Sequence, residues 1–255
     1  MMESVAIKDV SFSYRERGNT VRMVLDKANL VVQQKDILCI CGQSGQGKST
    51  LLRILAGLEH PQEGQLFYSG IESELHDHYA LKVALEHKVA FVFQNSALIS
   101  NLRVFDNIAL PIRYHQPGRS ESDIRDQVEG LLSSMMVAEY KDQFPYTLSA
   151  GALRRVSIAR ALALEPRILL MDEPTTGLDA KNRRSLLALI DNQRSLRHAT
   201  IIMVTHDLPI AKDLDARVSF LHKGKLSEPI HHDDLLLAQE EHIRDLVEEL
   251  DRPNG

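Results

Sequence analysis

The run Gly42-Gln43-Ser44-Gly45-Gln46-Gly47-Lys48-Ser49 carries residue types that can grip phosphate. It fits G-x-x-x-x-G-K-[ST] in every fixed position. Average residue usage makes a chance match in a chain of this length on the order of 1 in 100. Glycines allow successive backbone N–H groups to turn inward on phosphate oxygens. A helix opening near Lys48 adds its positive end. Lys48 offers a point charge for β- and γ-phosphates, Ser49 a hydroxyl for Mg2+, and Thr50 a donor for the α-phosphate. The plain alternative is an ordinary glycine-rich turn.

Ile168-Leu169-Leu170-Met171-Asp172-Glu173 supplies the other half of such chemistry. Four apolar residues make a buried strand, and two carboxylates stand at its exit. A parallel strand ends at the crevice where ligands bind. Asp172 is expected to hold Mg2+, and Glu173 to polarise an attacking water as general base. Alone, paired acids after an apolar run are a solvated strand end. Behind a phosphate loop they take on the catalytic reading.

These residues need a scaffold. Val5 to Tyr14 and Val24 to Val32 alternate like strands, and Ile37 to Cys41 is a short apolar run that stops at Gly42. Leu51 to Ala56 reads as a helix ending near Gly57. Val89 to Phe93, Ile168 to Met171, Thr200 to Val204 and Val218 to Leu221 read as further strands, with the clearest helix over Ala180 to Leu196. Buried strands alternating with helices predict an α/β fold with a mainly parallel sheet, and the amphipathic early strands predict an antiparallel β flank. The stretch of about 97–163 is dominated by helical patterns, including Ile124 to Met136 and a loop at Gln116 to Gly118. It is expected to be a helical subdomain inserted in the core. We therefore expect one domain over 1–230 and a helical tail over 231–255, where Ile243, Leu246, Val247 and Leu250 make one apolar stripe.

The 255 residues carry a formal net charge of −5, with 44% hydrophobic and 25% charged residues. That balance suits a soluble globular protein and gives no overall basic field for nucleic acid or acidic lipid. No apolar run approaches the roughly 18 residues that span a bilayer. The N-terminus lacks a signal-peptide layout, so a cytoplasmic location is expected. Cys39 and Cys41 share one face of a strand and read as core thiols. His76-Asp77-His78 and His231-His232-Asp233-Asp234 could bind metal but read more simply as solvated loops.

Leu148-Ser149-Ala150-Gly151-Ala152-Leu153-Arg154-Arg155 resembles the Leu-Ser-Gly-Gly-Gln signature of ABC ATPases. Gln94 resembles their Q-loop glutamine, Gly177-Leu178-Asp179 their D-loop, and Thr205-His206-Asp207 their switch histidine segment. Tyr14 matches the aromatic that stacks on adenine. The order and spacing of these motifs resemble the family across almost the entire chain. A GTPase would need an Asn-Lys-x-Asp motif, and a DNA-repair ABC protein a long coiled-coil insert; the chain has neither.

The resemblance implies a P-loop NTPase (RecA-like) core that binds and hydrolyses ATP with Mg2+. It implies a head-to-tail homodimer in which Ser149 and Gly151 of one copy clamp the γ-phosphate held by the other's phosphate loop, with Asp179 beside them. His206 would hold the γ-phosphate and the water together with Glu173. Gln94 would join Ser49 and Asp172 around the metal and connect to an integral-membrane permease. A peripheral position on the cytoplasmic face of the inner membrane follows. Ala150 and Ala152 depart from the signature, so residue 150 is expected in an ordinary αR or β conformation, where its Cβ carries no penalty. Arg154 and Arg155 are expected to face phosphate or the partner copy. The segment Gln94 to Ile99, followed by Val104 to Pro111, resembles cassettes of the MCE/Mla type. It implies phospholipid transport, with an MCE-domain protein and a small accessory subunit as further partners. Lipoprotein-release and cell-division cassettes are the nearest alternatives.

Overall fold

Apolar strands buried on both faces organise the molecule. The computed structural model describes residues 3–15, 21–73 and 88–237. Strands β1 (Glu3–Arg15), β2 (Val21–Gln33), β4 (Glu63–Tyr68) and β5 (Ile71–Ser73) form an antiparallel sheet in the order β2-β1-β4-β5. The second sheet contains β3 (Ile37–Cys41), β6 (Val89–Val92), β7 (Ile168–Asp172), β8 (Thr200–Val204) and β9 (Arg217–His222). Its five strands run parallel in the order β9-β3-β8-β7-β6. The short strands β10 (Lys225–Leu226) and β11 (Ile230–His231) pair antiparallel with β9.

Every residue of β3, β7 and β8 is buried. Side chains alternate across a strand, so each strand feeds two cores. Leu38, Ile40, Leu170, Ile202 and Val204 pack with the antiparallel sheet and with α1 (Lys48–Leu55). Cys39, Cys41, Leu169, Met171, Ile201 and Met203 pack on the other face. There they meet α2 (Val104–His115), α3 (Glu121–Ser134) and α4 (Ala150–Leu162). Each fully buried large aliphatic contributes about 1.5–3 kcal/mol. The two cysteines are free and buried. Burial holds the Cys41 thiol up at about 12, so it is an inert part of the core.

Helix α3 begins where Ser120 accepts a hydrogen bond from the Asp123 N–H at 3.1 Å, two residues beyond the Gln-Pro-Gly loop. Two further helices, α5 (Ala180–Arg197) and α6 (Pro209–Asp213), precede β8 and β9. The expected strands and helices occur within a few residues of their predicted ends. Strands β5, β10 and β11 and helix α6 carry patterns too short to read from the sequence, and β4, Glu-Gly-Gln-Leu-Phe-Tyr, opens on polar residues and a glycine that hide it. The apolar stripe from Ile243 to Leu250 and the triplet His76-Asp77-His78 lie outside the described residues. No described helix is long and apolar enough to cross a membrane.

Candidate functional site

Strand β3 delivers the chain to Gly42, and the turn that follows depends on two crowded glycines. At Gly42 (φ 152°) an added Cβ would sit 2.5 Å from the Leu221 carbonyl oxygen. At Gly47 (φ 100°) it would sit 2.2 Å from a Val24 methyl. The turn wraps so closely on β9 and β2 that only glycine fits. Lys48 opens α1, and its Nζ donates to the carbonyls of Gly42 (2.6 Å) and Gln43 (2.9 Å). The ammonium therefore spans the loop. Burial lowers its pKa, with the Glu173 carboxylate acting in the opposite direction.

Ser49 Oγ donates to Asp172 Oδ1 at 2.9 Å, which joins the start of α1 to the end of β7. Desolvation raises the Asp172 pKa although the Ser49 hydrogen bond pulls the other way. A hydroxyl and a carboxylate oxygen this close are hard donors suited to Mg2+, which binds through one or two such groups and keeps waters. Those two side chains fit the expected metal.

One residue later the backbone turns: Glu173 has φ 48° and its N–H donates to the Val204 carbonyl. This strained conformation aims the Glu173 carboxylate past the strand end. Its Oε2 lies 2.9 Å from His206 Nδ1 and accepts from Thr176 Oγ1 at 2.9 Å. His206 itself follows β8, where Thr205 donates its N–H to Ile40 and accepts from the Asp207 N–H.

These groups face one cavity of about 480 Å3 lined by Tyr14, Ser44, Gly45, Gly47, Lys48, Ser49, Thr50, Gln94, Glu173 and His206, with Arg22 and Val24. Ten of the residues expected from the sequence thus meet in one place. Gly42, Gln43 and Asp172 adjoin through the bonds described, and Gln46 accepts from the Lys223 N–H at 3.3 Å. Tyr14 donates or accepts a hydrogen bond with Thr50 Oγ1 at 3.1 Å and accepts from Arg53 at 3.0 Å. Thr50 is thereby tied to Tyr14 as well as to the loop.

Arg22 escaped the sequence reading. It sits directly across from Tyr14 in the β1–β2 pairing and donates to the Gly45 carbonyl at 2.7 Å. Only the strand register brings it to the phosphate loop, so no local signal marked it.

Ser149, Gly151 and Asp179 do not line this cavity. Ser149 caps α4, accepting from the Ala152 N–H at 3.3 Å. Ala150 is helical and outside the positive-φ region, as its Cβ requires. Asp179 accepts from the N–H groups of Lys181 and Asn182 at the start of α5, and these bonds lower its pKa. Asn182 links the two motifs: its amide donates to Asp179 at 2.6 Å, and its side chain is 3.6 Å from where a Gly151 Cβ would stand.

The arginines after the signature behave differently from the expectation. Arg154 is buried and donates to the Phe93 carbonyl at 2.8 Å, while Arg155 donates to Ser185 Oγ at 3.1 Å. Arg154 is thus spent inside the chain, while Arg155 is half-buried with this one internal bond. Arg154 makes its bond beside Gln94, and farther along α4 Ser157 and Arg160 hold the carbonyls of Ser96 and Ala97. Helix α4 therefore fastens the whole segment that follows β6. On its far side Asn107 is fully buried, accepts from the Ile99 N–H and donates to the carbonyls of Ile99, Leu102 and Arg103.

The sequence profile of the ABC transporter family matches residues 25–176. The chain is 41% identical over 207 residues to the sulfate/thiosulfate import ATP-binding protein CysA of Rhodopseudomonas palustris, covering 80% of this chain and 58% of that protein. It is 38% identical over 207 residues to the methionine import ATP-binding protein MetN of Legionella pneumophila, covering 81% of this chain and 60% of that one. The chain thus spans about three-fifths of the length of these relatives. Its fold matches the dimeric post-hydrolysis structure of the ATP-binding cassette MJ0796 bound to ADP and Pi. That match has a TM-score of 0.81 at 31% identity, over 89% of this chain and 98% of that one. A glycine-walled phosphate loop, a serine–aspartate pair and a glutamate–histidine pair on one cavity, together with these matches, place the chain in the ABC transporter family of ATP-binding proteins.

Proposed function

We propose that this protein hydrolyses ATP as the engine of a transporter whose permease is a separate chain. The observation that carries the reading is the convergence of Lys48, Ser49–Asp172 and Glu173–His206 on one cavity. The turn from Gly42 to Gly47 wraps the phosphates with backbone N–H groups, and Lys48 redirects its ammonium from two carbonyls to phosphate oxygens. Ser49 and Asp172 would hold Mg2+, which would supply charge neutralisation on the phosphates. Glu173, poised at the strand exit, accepts a proton from the attacking water. The bond to His206 Nδ1 fixes the orientation of that carboxylate and leaves Nε2 for the γ-phosphate. Tyr14 presents its ring to the cavity for the adenine.

The Ser149, Gly151 and Asp179 cluster supports a second role. It stands outside its own chain's cavity with a helix N-terminus behind it, which suits closure on the nucleotide of a second copy in a head-to-tail homodimer. Helices α2 to α4 then act as the inserted subdomain that carries this cluster, within a domain over 1–230. Phosphate release measured with and without Mg2+ tests the enzyme. Absence of any Mg2+-dependent ATP turnover, alone or with membrane partners, would refute it.

For cargo, the segment from Gln94 to Pro111 supports a permease that moves phospholipid, with an MCE-domain protein and a small accessory subunit, at the cytoplasmic face of the inner membrane. The relatives named for sulfate and methionine import favour a small-solute importer as the second reading. Purification of the membrane complex, with mass spectrometry of its subunits and lipids, separates the two.

A further inference from the structure

Asp215, His231 and His232 meet at the opposite end of the sheet from the phosphate loop. In the β3–β9 register Leu38 pairs with Arg217 and Cys41 with Phe220, so residue 215 lies at the end remote from Gly42. Strand β11 brings His231 beside Arg217, and the His232 N–H donates to the Ala216 carbonyl. One ligand atom from each of the three residues lies within 4.8 Å of the others. His231 Nε2 is 3.2 Å and His232 Nδ1 3.9 Å from Asp215 Oδ1.

We propose that these three side chains bind a zinc ion. Tetrahedral zinc with ligands at its usual bond lengths separates neighbouring ligand atoms by about 3.3–3.6 Å. The two distances bracket that value, and small side-chain rotations close the remainder. Two further observations point to a ligand. His232 is mostly buried, and its Nδ1 is shut off from water without a hydrogen-bond partner. A ring nitrogen in that position lacks only an acceptor of its lone pair. Asp233 also stands behind the rings, with Oδ1 in hydrogen-bond reach of His232 Nε2 at 3.1 Å and Oδ2 farther off, 3.7 Å from His231 Nδ1. A carboxylate behind a metal-ligating imidazole fixes its tautomer and raises its basicity. Here Asp233 Oδ1 stands in that position behind His232, while His231 Nδ1 accepts the Asp233 N–H at 3.5 Å. The donor set of two imidazoles and one carboxylate suits zinc and disfavours Mg2+ and Ca2+, which take oxygen. The ion would staple the 3₁₀ turn His232–Leu237 to the segment that enters β9.

Untagged full-length protein, stripped with chelator, is titrated with ZnCl2 by calorimetry, and its cobalt form is examined by visible absorption. We expect one zinc per chain, the intense bands of four-coordinate cobalt, and no matching response to MgCl2. Asp215→Asn and His231→Ala should each weaken zinc at least tenfold and erase the cobalt bands, and Asp233→Asn should weaken it about 10–100-fold. Asp215→Asn should leave basal ATP hydrolysis unchanged, which shows that the variant is folded. Failure of the folded wild-type chain to take up zinc would overturn the proposal. Equal uptake by the wild type and by Asp215→Asn and His231→Ala would overturn it too.

Discussion

Glu173 Oε2 and His206 Nδ1 lie 2.9 Å apart although their strands, β7 and β8, deliver them from separate loops. The pairing requires the left-handed backbone at Glu173, since an extended residue there would carry the carboxylate on along the strand. A carboxylate so held is already aligned when a water arrives. Glu173→Gln keeps the shape and removes the proton acceptor. Turnover should fall about 10²–10⁴-fold while ATP still binds. Phosphate release, with size-exclusion chromatography in ATP to detect a persistent dimer, checks both halves.

Lys48 is the buried cation of the phosphate loop, satisfied by two carbonyls. Hydrogen bonds to charged groups are worth about 1.5–3 kcal/mol. Lys48→Ala should therefore weaken ATP roughly 10–100-fold, read by fluorescent-nucleotide titration.

Asp172 has a pKa raised by burial, which sets a pH dependence. Above the raised folded value the chain bears the full penalty of a desolvated charge. Below the ordinary carboxylate value the group is protonated folded or unfolded, and no penalty exists. Stability from this group thus falls as pH climbs between the two values. Asp172→Asn should melt higher than the wild type at pH 7 in the absence of nucleotide and metal, and the gain should vanish as pH drops below the carboxylate range. The same variant should lose Mg2+-dependent turnover. Thermal melts across pH test the sign.

Gly151 separates a dimer role from a folding role. Its φ is not in the left-handed region, and a Cβ there would meet only Asn182 and Leu178 at 3.6–3.8 Å, an ordinary contact. Gly151→Ala should melt within about 1–2 °C of the wild type and still bind ATP, yet lose at least tenfold in turnover, because the proposed γ-phosphate contact comes from the second copy. Unchanged turnover would remove Gly151 from the machinery.

Asn107 satisfies four backbone groups in a fully buried position. The Ile99 and Arg103 carbonyls also accept backbone N–H groups, from Leu102 and from residue 107 itself. Asn107→Ala therefore takes away the partner of the Ile99 N–H and of the Leu102 carbonyl, at about 1–3 kcal/mol for each group that water cannot reach. A fall in Tm of roughly 5–15 °C is expected.

Much of this was legible in the residues because the decisive signals are local. Lys48 and Ser49 follow an apolar run and precede a helix, and Asp172 ends another run, so period and punctuation alone placed them. Ser149 was read only as part of the signature; that it caps α4 came from the structure, although a hydroxyl before a helical pattern often does so. Arg22 was not legible, since its partner Gly45 is reached only through the β1–β2 register. Arg154 misled for a related reason: a charged pair after the signature suggests an anion, yet the Phe93 carbonyl that Arg154 satisfies lies just past β6, 61 residues away. The His231–His232 pair looked solvated in isolation, and only the β9–β11 pairing brings Asp215 to it.

The grip of α4 on the segment after β6 has a mechanical outcome. Arg154, Ser157 and Arg160 clasp Phe93, Ser96 and Ala97 along one side of a 13-residue rod, about 20 Å long, whose first turn is capped by Ser149. A helix fastened at three points along one side moves with the segment it holds, so a displacement of Ser96 is carried to the serine at its tip. In the proposed homodimer that motion would swing Ser149 toward or away from the nucleotide held by the second copy.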